Sequence, residues 1–514
     1  MRYRPLGRSP LAISAVGFGT CQLRKVPERQ ALETLRRGFE LGVNFVHTAP
    51  DYEGAEDLVA RAIAEARREV MVFTQGYGNM PHFEWLFDMA CRRAGRMPLD
   101  VFGIACVEDR ELLGENVWGP GGMVEFLLEQ KRRGRLRAIF AESHGTPEYI
   151  ARLIESGVFD AVLVAGNLLG FHALSYFPQP PGTFEDIARN RAEIFPLARR
   201  HGVSVLLMKS LGGGLECAGK AFEPHARFSA ETHPLAAGEL LRSLLEDPDV
   251  TAVVPGTASV AEADENARAG HAAAPLPAAR RALIEASGAQ MLETLCRRCG
   301  ACDSLCSRGL PVSWLFRDAY VSTIRAETFE TLDRLQYFHL HPQAQAACVS
   351  CDDVSCACPH GLDIPIELAR VHEVMSDLRA RGRLPRTPAE LEREPARGPW
   401  GLKLVHAELP SPVAPGSTCR CTLWVENAGP TKWTAPTHWT AGAGIELHAV
   451  LGPATRTVAL RHEVEPGTRT HFAFELTAPQ AAGEHAVRFF LRTVGRRIAP
   501  EDAELWSCPL TVAA

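Results

Sequence analysis

From about residue 10 to residue 290, short apolar runs rich in branched residues alternate with amphipathic stretches. VNFVH (43–47), EVMVFT (69–74), DVFGIAC (100–106), LRAIFA (136–141), DAVLVAG (160–166), VSVLLM (203–208) and VTAVVP (250–255) read as strands, and an early strand near 12–17 makes eight. Continuous apolar runs suit a parallel sheet covered on both faces. Between them, Leu32, Leu35 and Phe39, then Leu58, Val59, Ala62 and Ile63, recur at helical spacing and mark inward helix faces. Eight repeats of strand then helix over residues 1–290 predict an α/β fold, the TIM (β/α)8 barrel. Its site lies at the C-terminal ends of the strands. Two stretches break the rhythm, 175–186 and 215–233. Loops that long read as lids over the catalytic face, or as plain surface linkage.

Past residue 290 the pattern passes to cysteine, and eight of the fifteen in the chain fall in two groups. Cys296, Cys299, Cys302 and Cys306 have the spacing CxxCxxCxxxC, and Cys348, Cys351, Cys356 and Cys358 have CxxCxxxxCxCP. No run of about eighteen apolar residues occurs, and the opening MRYRPLGRSPLAIS lacks the apolar core of a signal peptide. The expectation is a soluble cytoplasmic protein with no membrane partner, in which reduced cysteines serve as thiolate ligands. The first spacing matches the bacterial ferredoxin run, where three close cysteines hold one 4Fe-4S cluster and the fourth reaches to another. Two crossed clusters follow: Cys296, Cys299 and Cys302 with Cys358, and Cys348, Cys351 and Cys356 with Cys306. Ser307 stands where that run has proline, and the third cysteine of the second group comes two places late. Zinc held by the CxxC pairs is the alternative. The groups resemble helical ferredoxin modules, which separate two cysteine quartets by a helical segment. Here that segment offers Trp314, Leu315, Ala319 and Ile324 for packing, and a second helix follows Cys358. His360 reads as a hydrogen-bonding neighbour, since the cysteines already fill both sites.

This α-helical module spans 291–382, and a linker at 383–399, punctuated by Pro385, Pro388, Pro395 and Pro399, separates it from a β-patterned segment at 400–514. CRCTLWVEN puts Cys419, Cys421, Leu423 and Val425 on one face, HAVRFFLRTV alternates likewise, and ENAGP, EPGT and APQAAGE mark turns. About seven strands in an Ig-like β-sandwich are expected, with Cys419, Cys421 and Cys508 reduced and buried. Such a domain supplies contacts to a protein partner. Net charge changes the picture only by exclusion: at −6, with 55 basic residues scattered against 61 acidic ones, nucleic acid is not an expected partner.

YRPLGRSPLAISAVGFGTCQL, LGVNFVHTAPDYEGAED, VLLMKSLGGGL and VTAVVPGTASVAEADEN occur in that order. Together they resemble the aldo/keto reductases, above all the branch that carries ferredoxin modules. The resemblance implies a tyrosine acid assisted by Asp, Lys and His, with NAD(P)H as hydride donor. On this chain the aspartate falls on His47, the tyrosine on Tyr52, the lysine on Gln75 and the histidine on Ala105, beside Cys106. Of these only the tyrosine matches. Residues that hold the nicotinamide carboxamide fall on Glu142, Ser143 and Ala165, and those for the adenosine phosphate on Gly256 and Glu262. Asn266 and the glycines at 212–214 do match.

An ammonium beside a phenol lowers its pKa from about 10 and makes it a useful acid and base. With Gln75 in place of lysine, Tyr52 loses that charge, and His47 with Gln75 removes both members of an ion pair together. The replacements argue against NADPH in the usual mode. Tyr52 reads either as a functional group or as a barrel-mouth aromatic, and His47 as an acid, a ligand or a packing residue. Cys106 reads as a small buried hydrophobe. Lys209 is placed to hold an anion in the mouth or to pair with Glu142. The leading expectation is an iron–sulfur oxidoreductase with an altered aldo/keto reductase active site, whose clusters exchange electrons with a site at the barrel mouth, with a small-molecule substrate and a protein electron donor or acceptor as partners. A non-catalytic scaffold with structural clusters, and an ordinary NAD(P)H-dependent carbonyl reductase rebuilt on Tyr52 and His47, are the alternatives.

Overall fold

The apolar runs become the walls of a barrel. A computed structural model describes the chain outside residues 24–25, 51, 53, 113, 169–188, 215–216, 218–234, 273, 294–295, 298, 309, 311, 314, 317–350, 352–354, 381–401, 429–432, 434–444, 453, 461–463, 465–466, 494–495, 498–505 and 514. Two compact units divide it, one carrying the barrel and the cysteine groups, the other the C-terminal strands.

Strands β1 (Tyr3–Pro5) and β2 (Ala12–Ser14) form an antiparallel hairpin. The barrel then runs through β3 (Phe18–Gly19), β4 (Phe45–His47), β5 (Met71–Gly76), β6 (Leu99–Ile104), β7 (Leu136–Ser143), β8 (Ala161–Ala165), β9 (Ser204–Met208) and β10 (Val250–Val254). Each pairs in parallel with the next in sequence, so the sheet order follows the chain. Parallel bridges from Val16 to Val253 and from Gly19 to Gly256 join the first strand to the last. The early strand thus differs from expectation. Residues 12–14 turn back onto β1, and the barrel wall is only Phe18–Gly19, because a wall strand at Gly17 and Gly19 needs close backbone approach more than an apolar run. A Cβ on Gly17 would sit 2.1 Å from the Phe45 ring.

Outside the wall lie α1 (Glu28–Glu40), α2 (Ala55–Ala64), α3 (Met80–Ala94), α4 (Val107–Leu112), α5 (Met123–Arg132), α6 (Pro147–Glu155), α7 (Phe195–Arg200), α8 (Ala237–Leu245) and α9 (Val260–His271). Helix α1 buries Leu32, Leu35 and Phe39, as its periodicity predicts. In α2, Val59 and Ala62 are buried and Leu58 and Ile63 half-buried, while Ala55 and Glu56 turn inward instead. Inside, Phe45, Phe73, Val101, Phe140 and Leu163 form the core, joined by Leu6, Leu11 and Ile13 from the hairpin. After the barrel come α10 (Ala278–Leu292) and, beyond the cysteine groups, α11 (Ile364–Ala380). No described helix is long and apolar enough to cross a membrane. The expected lids at 175–186 and 215–233 lie outside the described residues, apart from Cys217. So do Trp314, Ala319, Ile324 and the proline linker, whereas Leu315 is fully buried.

In the C-terminal unit β11 (Leu402–Glu408), β12 (Thr418–Asn427) and β15 (Arg469–Thr477) make one antiparallel sheet. A second holds β14 (Ala454–Ala459), β13 (Ile445–Leu451), β16 (Gly483–Thr493) and β17 (Arg496–Arg497), with β18 (Trp506–Val512) on β16. Cys419, Cys421, Leu423 and Val425 from the first sheet share a core with Leu447, Val487 and Phe489 from the second, around the fully buried Trp433. Cys419 and Cys421 are buried thiols, and Cys508 is half-buried.

Asp160 shows how the N-terminal end of the barrel is pinned. Its carboxylate, 1% exposed, accepts from Lys131 Nζ at 2.6 Å and from the Ile139 backbone N–H at 2.9 Å. Replacing Asp160 with Ala leaves that buried N–H unsatisfied and should cost about 2–3 kcal/mol, read as a lowered barrel transition in chemical denaturation followed by circular dichroism.

Candidate active site at the barrel mouth, and the cysteine groups

Period-two alternation in β7 puts Ala138, Phe140, Glu142 and then His144 on one side, and Ala138 and Phe140 belong to the barrel core. Glu142 and His144 continue that line into the mouth, buried at 6% and 5% exposure. His47 at the end of β4 and Gln75 in β5 are buried beside them. The His47 ring meets Phe140 edge-on at 5.9 Å and Tyr52 edge-on at 6.3 Å between centroids. Tyr52, half-buried, sits in the turn that leads into α2.

Cys106 follows β6 and Lys209 follows β9, and both adopt left-handed backbone, with φ of 44° and 54°. Few side chains tolerate that region without cost. Their side chains converge on His144: Cys106 Sγ lies 3.6 Å from Nδ1, and Lys209 Nζ lies 2.5 Å from Nε2. Cys106 Sγ is also 3.9 Å from Glu142 Oε2. The His144 backbone N–H donates to Glu108 Oε1 at 2.5 Å, and Asn167 Nδ2 donates to the Lys209 carbonyl at 3.0 Å. Lys209 lies close enough to Glu142 for its charge to draw the carboxyl down, and its ammonium also meets His144. One expectation is corrected here. Cys106 is half-buried among polar groups, because the left-handed turn aims its sulfur at His144 and Glu142.

Burial pushes the Glu142 carboxyl above its ordinary range, against the opposing pull of Lys209 and of hydrogen bonds from Gln75 and the Cys106 backbone. Burial also holds His47 down to about 4; the nearby Gln75 opposes this, and the charge on Lys209 adds to it. His47 is therefore neutral near pH 7, and it supplies no cation for Tyr52. Neither His47 Nε2 nor Gln75 Oε1 has a partner in hydrogen-bond geometry, although the Gln75 amide stands close to His47.

The residues matched to cofactor positions are partly spent on the scaffold. Asn266 Nδ2 donates to Thr257 Oγ1 at 3.0 Å. Glu262 is tied to the start of α9: its N–H donates to Oγ of the N-cap Ser259, and its carboxylate accepts from the N–H of the preceding Ala258 at 2.8 Å. Gly256 closes the barrel against Gly19, and a Cβ there would meet Gln22 at 3.0 Å. Gly212–Gly214 form a single 3-10 turn.

Seven of the eight group cysteines are described; Cys348 lies outside the described residues. Cys302 lies within electrostatic reach of Cys299 and Cys358, and Cys356 of Cys306 and Cys351. Burial, together with Asp303, Cys299 and Cys358, pushes the Cys302 thiol up to about 12. The chain around Cys306 is tied to the second group. Ser307 N–H donates to Ser355 Oγ at 3.0 Å, Ser355 Oγ donates to the Leu305 carbonyl at 2.6 Å, and Ser307 Oγ is 4.0 Å from Cys351 Sγ. The Leu310 N–H points at Cys306 Sγ at 3.4 Å. His360 sits in the turn after Cys358.

The model of the aldo/keto reductase family matches residues 15–288, the barrel. The chain belongs to the aldo/keto reductase family. L-galactose dehydrogenase of Arabidopsis thaliana is 25% identical to it over 300 residues, 52% of this chain and 87% of that protein. Uncharacterized oxidoreductase YqkF of Bacillus subtilis is 38% identical over 81 residues, 15% of this chain and 26% of that protein. The holo form of an aldo-keto reductase from Bacillus halodurans has a TM-score of 0.45 and 21% identity, covering 56% of this chain and 96% of that one.

The mouth of this aldo/keto reductase family member gathers His47, Gln75, Tyr52, Glu142 and Lys209, which sequence motifs mark, with His144 and Glu108, which they do not. The signal for His144 was alternation: two residues past an inward Glu142, the next inward position is 144.

The buried neutral His47 sets an acid limit on the barrel. Its pKa falls from 6.5 in the open chain to about 4 in the fold, so the unfolded state binds more protons between those values. Its contribution is complete above pH 6.5 and is lost as pH falls towards 4. His47→Gln should remove roughly 3 kcal/mol of that acid sensitivity, seen as a flatter profile of denaturation midpoint between pH 4 and 7.

Proposed function

We propose that this family member is an iron–sulfur oxidoreductase, in which the cysteine groups exchange electrons with a small molecule bound at a rebuilt barrel mouth. The crossing of the two groups carries the reading. Cys302 lies within electrostatic reach of Cys358, as it does of Cys299, and the Cys306 segment is tied to Cys351 and Ser355. That is the pairing two 4Fe-4S clusters need in a ferredoxin-type run. One set is Cys296, Cys299, Cys302 and Cys358; the other is Cys306, Cys351 and Cys356, with Cys348. Clusters held there supply one-electron transfer. The residues do the rest: thiolates fix position, and the Leu310 N–H aimed at Cys306 Sγ favours negative charge on that sulfur.

The donor set for NAD(P)H does not fit in the usual mode. Gln75 gives Tyr52 no ammonium, Glu142 puts a buried carboxylate where carboxamide-binding groups are expected, and the Glu262 carboxylate opposes a 2′-phosphate. No hydride step is derived. A second reading, an ordinary carbonyl reductase built on Tyr52 and His47, draws on their edge-on contact. Against it stands the neutrality of His47. We read the C-terminal sheets as an Ig-like sandwich that docks a protein donor or acceptor in the cytoplasm.

Anaerobically purified full-length protein should hold about eight irons and as many sulfides per chain. Cys302→Ser and Cys358→Ser should each lose the same half, and combining them should lose no more. Cys306→Ser and Cys351→Ser should lose the other half. Zinc without sulfide, or losses that pair Cys358 with Cys351, would overturn the reading. Carbonyl reduction with stoichiometric NADPH consumption would restore the ordinary reductase.

A further inference from the structure

The three side chains that converge at the mouth, Cys106, Glu142 and His144, are one soft and two harder metal donors, and their ligand atoms all lie within 4.8 Å of one another. We propose that Cys106 Sγ, a Glu142 carboxylate oxygen and His144 Nδ1 form a mononuclear zinc site with its fourth position open. The site stands on the barrel residues alone and does not depend on what the cysteine groups hold.

The spacing suits zinc. Bonds of about 2.3 Å to sulfur and about 2.0–2.1 Å to nitrogen at a tetrahedral angle put the two ligand atoms about 3.6 Å apart. Cys106 Sγ and His144 Nδ1 are 3.6 Å apart, and Sγ and Glu142 Oε2 are 3.9 Å apart. One thiolate, one imidazole and one carboxylate form a mixed S, N, O set that zinc accepts. Three protein ligands with a vacant fourth position are the arrangement of catalytic zinc, whereas structural sites close with four. Glu142 lies on β7 and His144 is the first residue past its end, both buried, so two of the three ligands leave one short run of backbone. The third is brought in by the left-handed turn at Cys106.

The surroundings fit a bound ligand. Glu108 holds the backbone of His144, and two buried polar atoms, His47 Nε2 and Gln75 Oε1, meet no partner in hydrogen-bond geometry. An oxygen-bearing small molecule, a carbonyl compound or an alcohol, suits such a site: zinc would polarise the oxygen at the open position, and His47 Nε2 and Gln75 Oε1 could offer further hydrogen bonds. Lys209 is the group that resists metal. Its Nζ lies 2.5 Å from Nε2, and zinc on Nδ1 places the imidazole proton on Nε2. Lys209 must then accept a hydrogen bond from that N–H as a neutral amine, or turn aside.

The test uses full-length protein, stripped with chelator and titrated with Zn2+, with all metals counted by mass spectrometry. Wild type should bind one zinc more than Cys106→Ser does, and Glu142→Gln and His144→Gln should each weaken that zinc by at least tenfold, while the metal held by the cysteine groups is unchanged. Lys209→Met should bind it several-fold more tightly. In parallel, zinc should slow alkylation of Cys106, resolved by peptide mass spectrometry, in wild type but not in His144→Gln. Zinc uptake that is equal in wild type and Cys106→Ser, or that disappears with Cys302→Ser instead, would overturn the proposal. So would alkylation of Cys106 that ignores zinc.

Discussion

Short parallel strands enclose a packed interior only if the last pairs with the first, and here two bridges, Val16 to Val253 and Gly19 to Gly256, make that junction. The arrangement at the mouth follows from it. Closure forces alternate residues of each strand inward, where Phe45, Phe73 and Phe140 fill the centre. The next inward positions have no core left to fill, and they carry polar groups. His47, Gln75, Glu142 and His144 are neighbours because their strands are held in register around one axis.

Those groups are costly to bury one at a time and tolerable together. Glu142 has Lys209 near it, and Lys209 has His144. His47 needs no counter-charge because it stays neutral. Compared with the tetrad that the family resemblance implies, the charge has moved. It has left the β4 and β5 ends and gathered at the ends of β6, β7 and β9. The N-terminus of α9 is likewise committed, with Ser259 and Glu262 satisfying donors that an anionic cofactor would otherwise meet.

Seven of the eight barrel strands were legible because a strand covered on both faces must be apolar throughout, which leaves an unbroken run such as VLLM or VTAVV. The first was not, since two residues of wall carry no run. Helix α2 shows a subtler limit: Glu56 is buried in place of Leu58 because its carboxylate accepts from Thr74 Oγ1 at 2.7 Å and pairs with Arg93, partners distant in sequence. At the mouth, residue identities pointed to the altered tetrad, but the partner of Lys209 depended on backbone dihedrals at 106 and 209 that no residue type announces. The alternation on β12 was legible because one face is buried in the shared core.

The two left-handed residues set backbone ease against side-chain placement. Cys106 and Lys209 occupy backbone that glycine adopts freely, with φ of 44° and 54°. Glycine at either place would relax the turn, so each side chain persists against a standing local preference for its own removal. The same substitution would also remove a side chain that reaches His144, so local backbone ease and the arrangement of the mouth pull in opposite directions at these two residues.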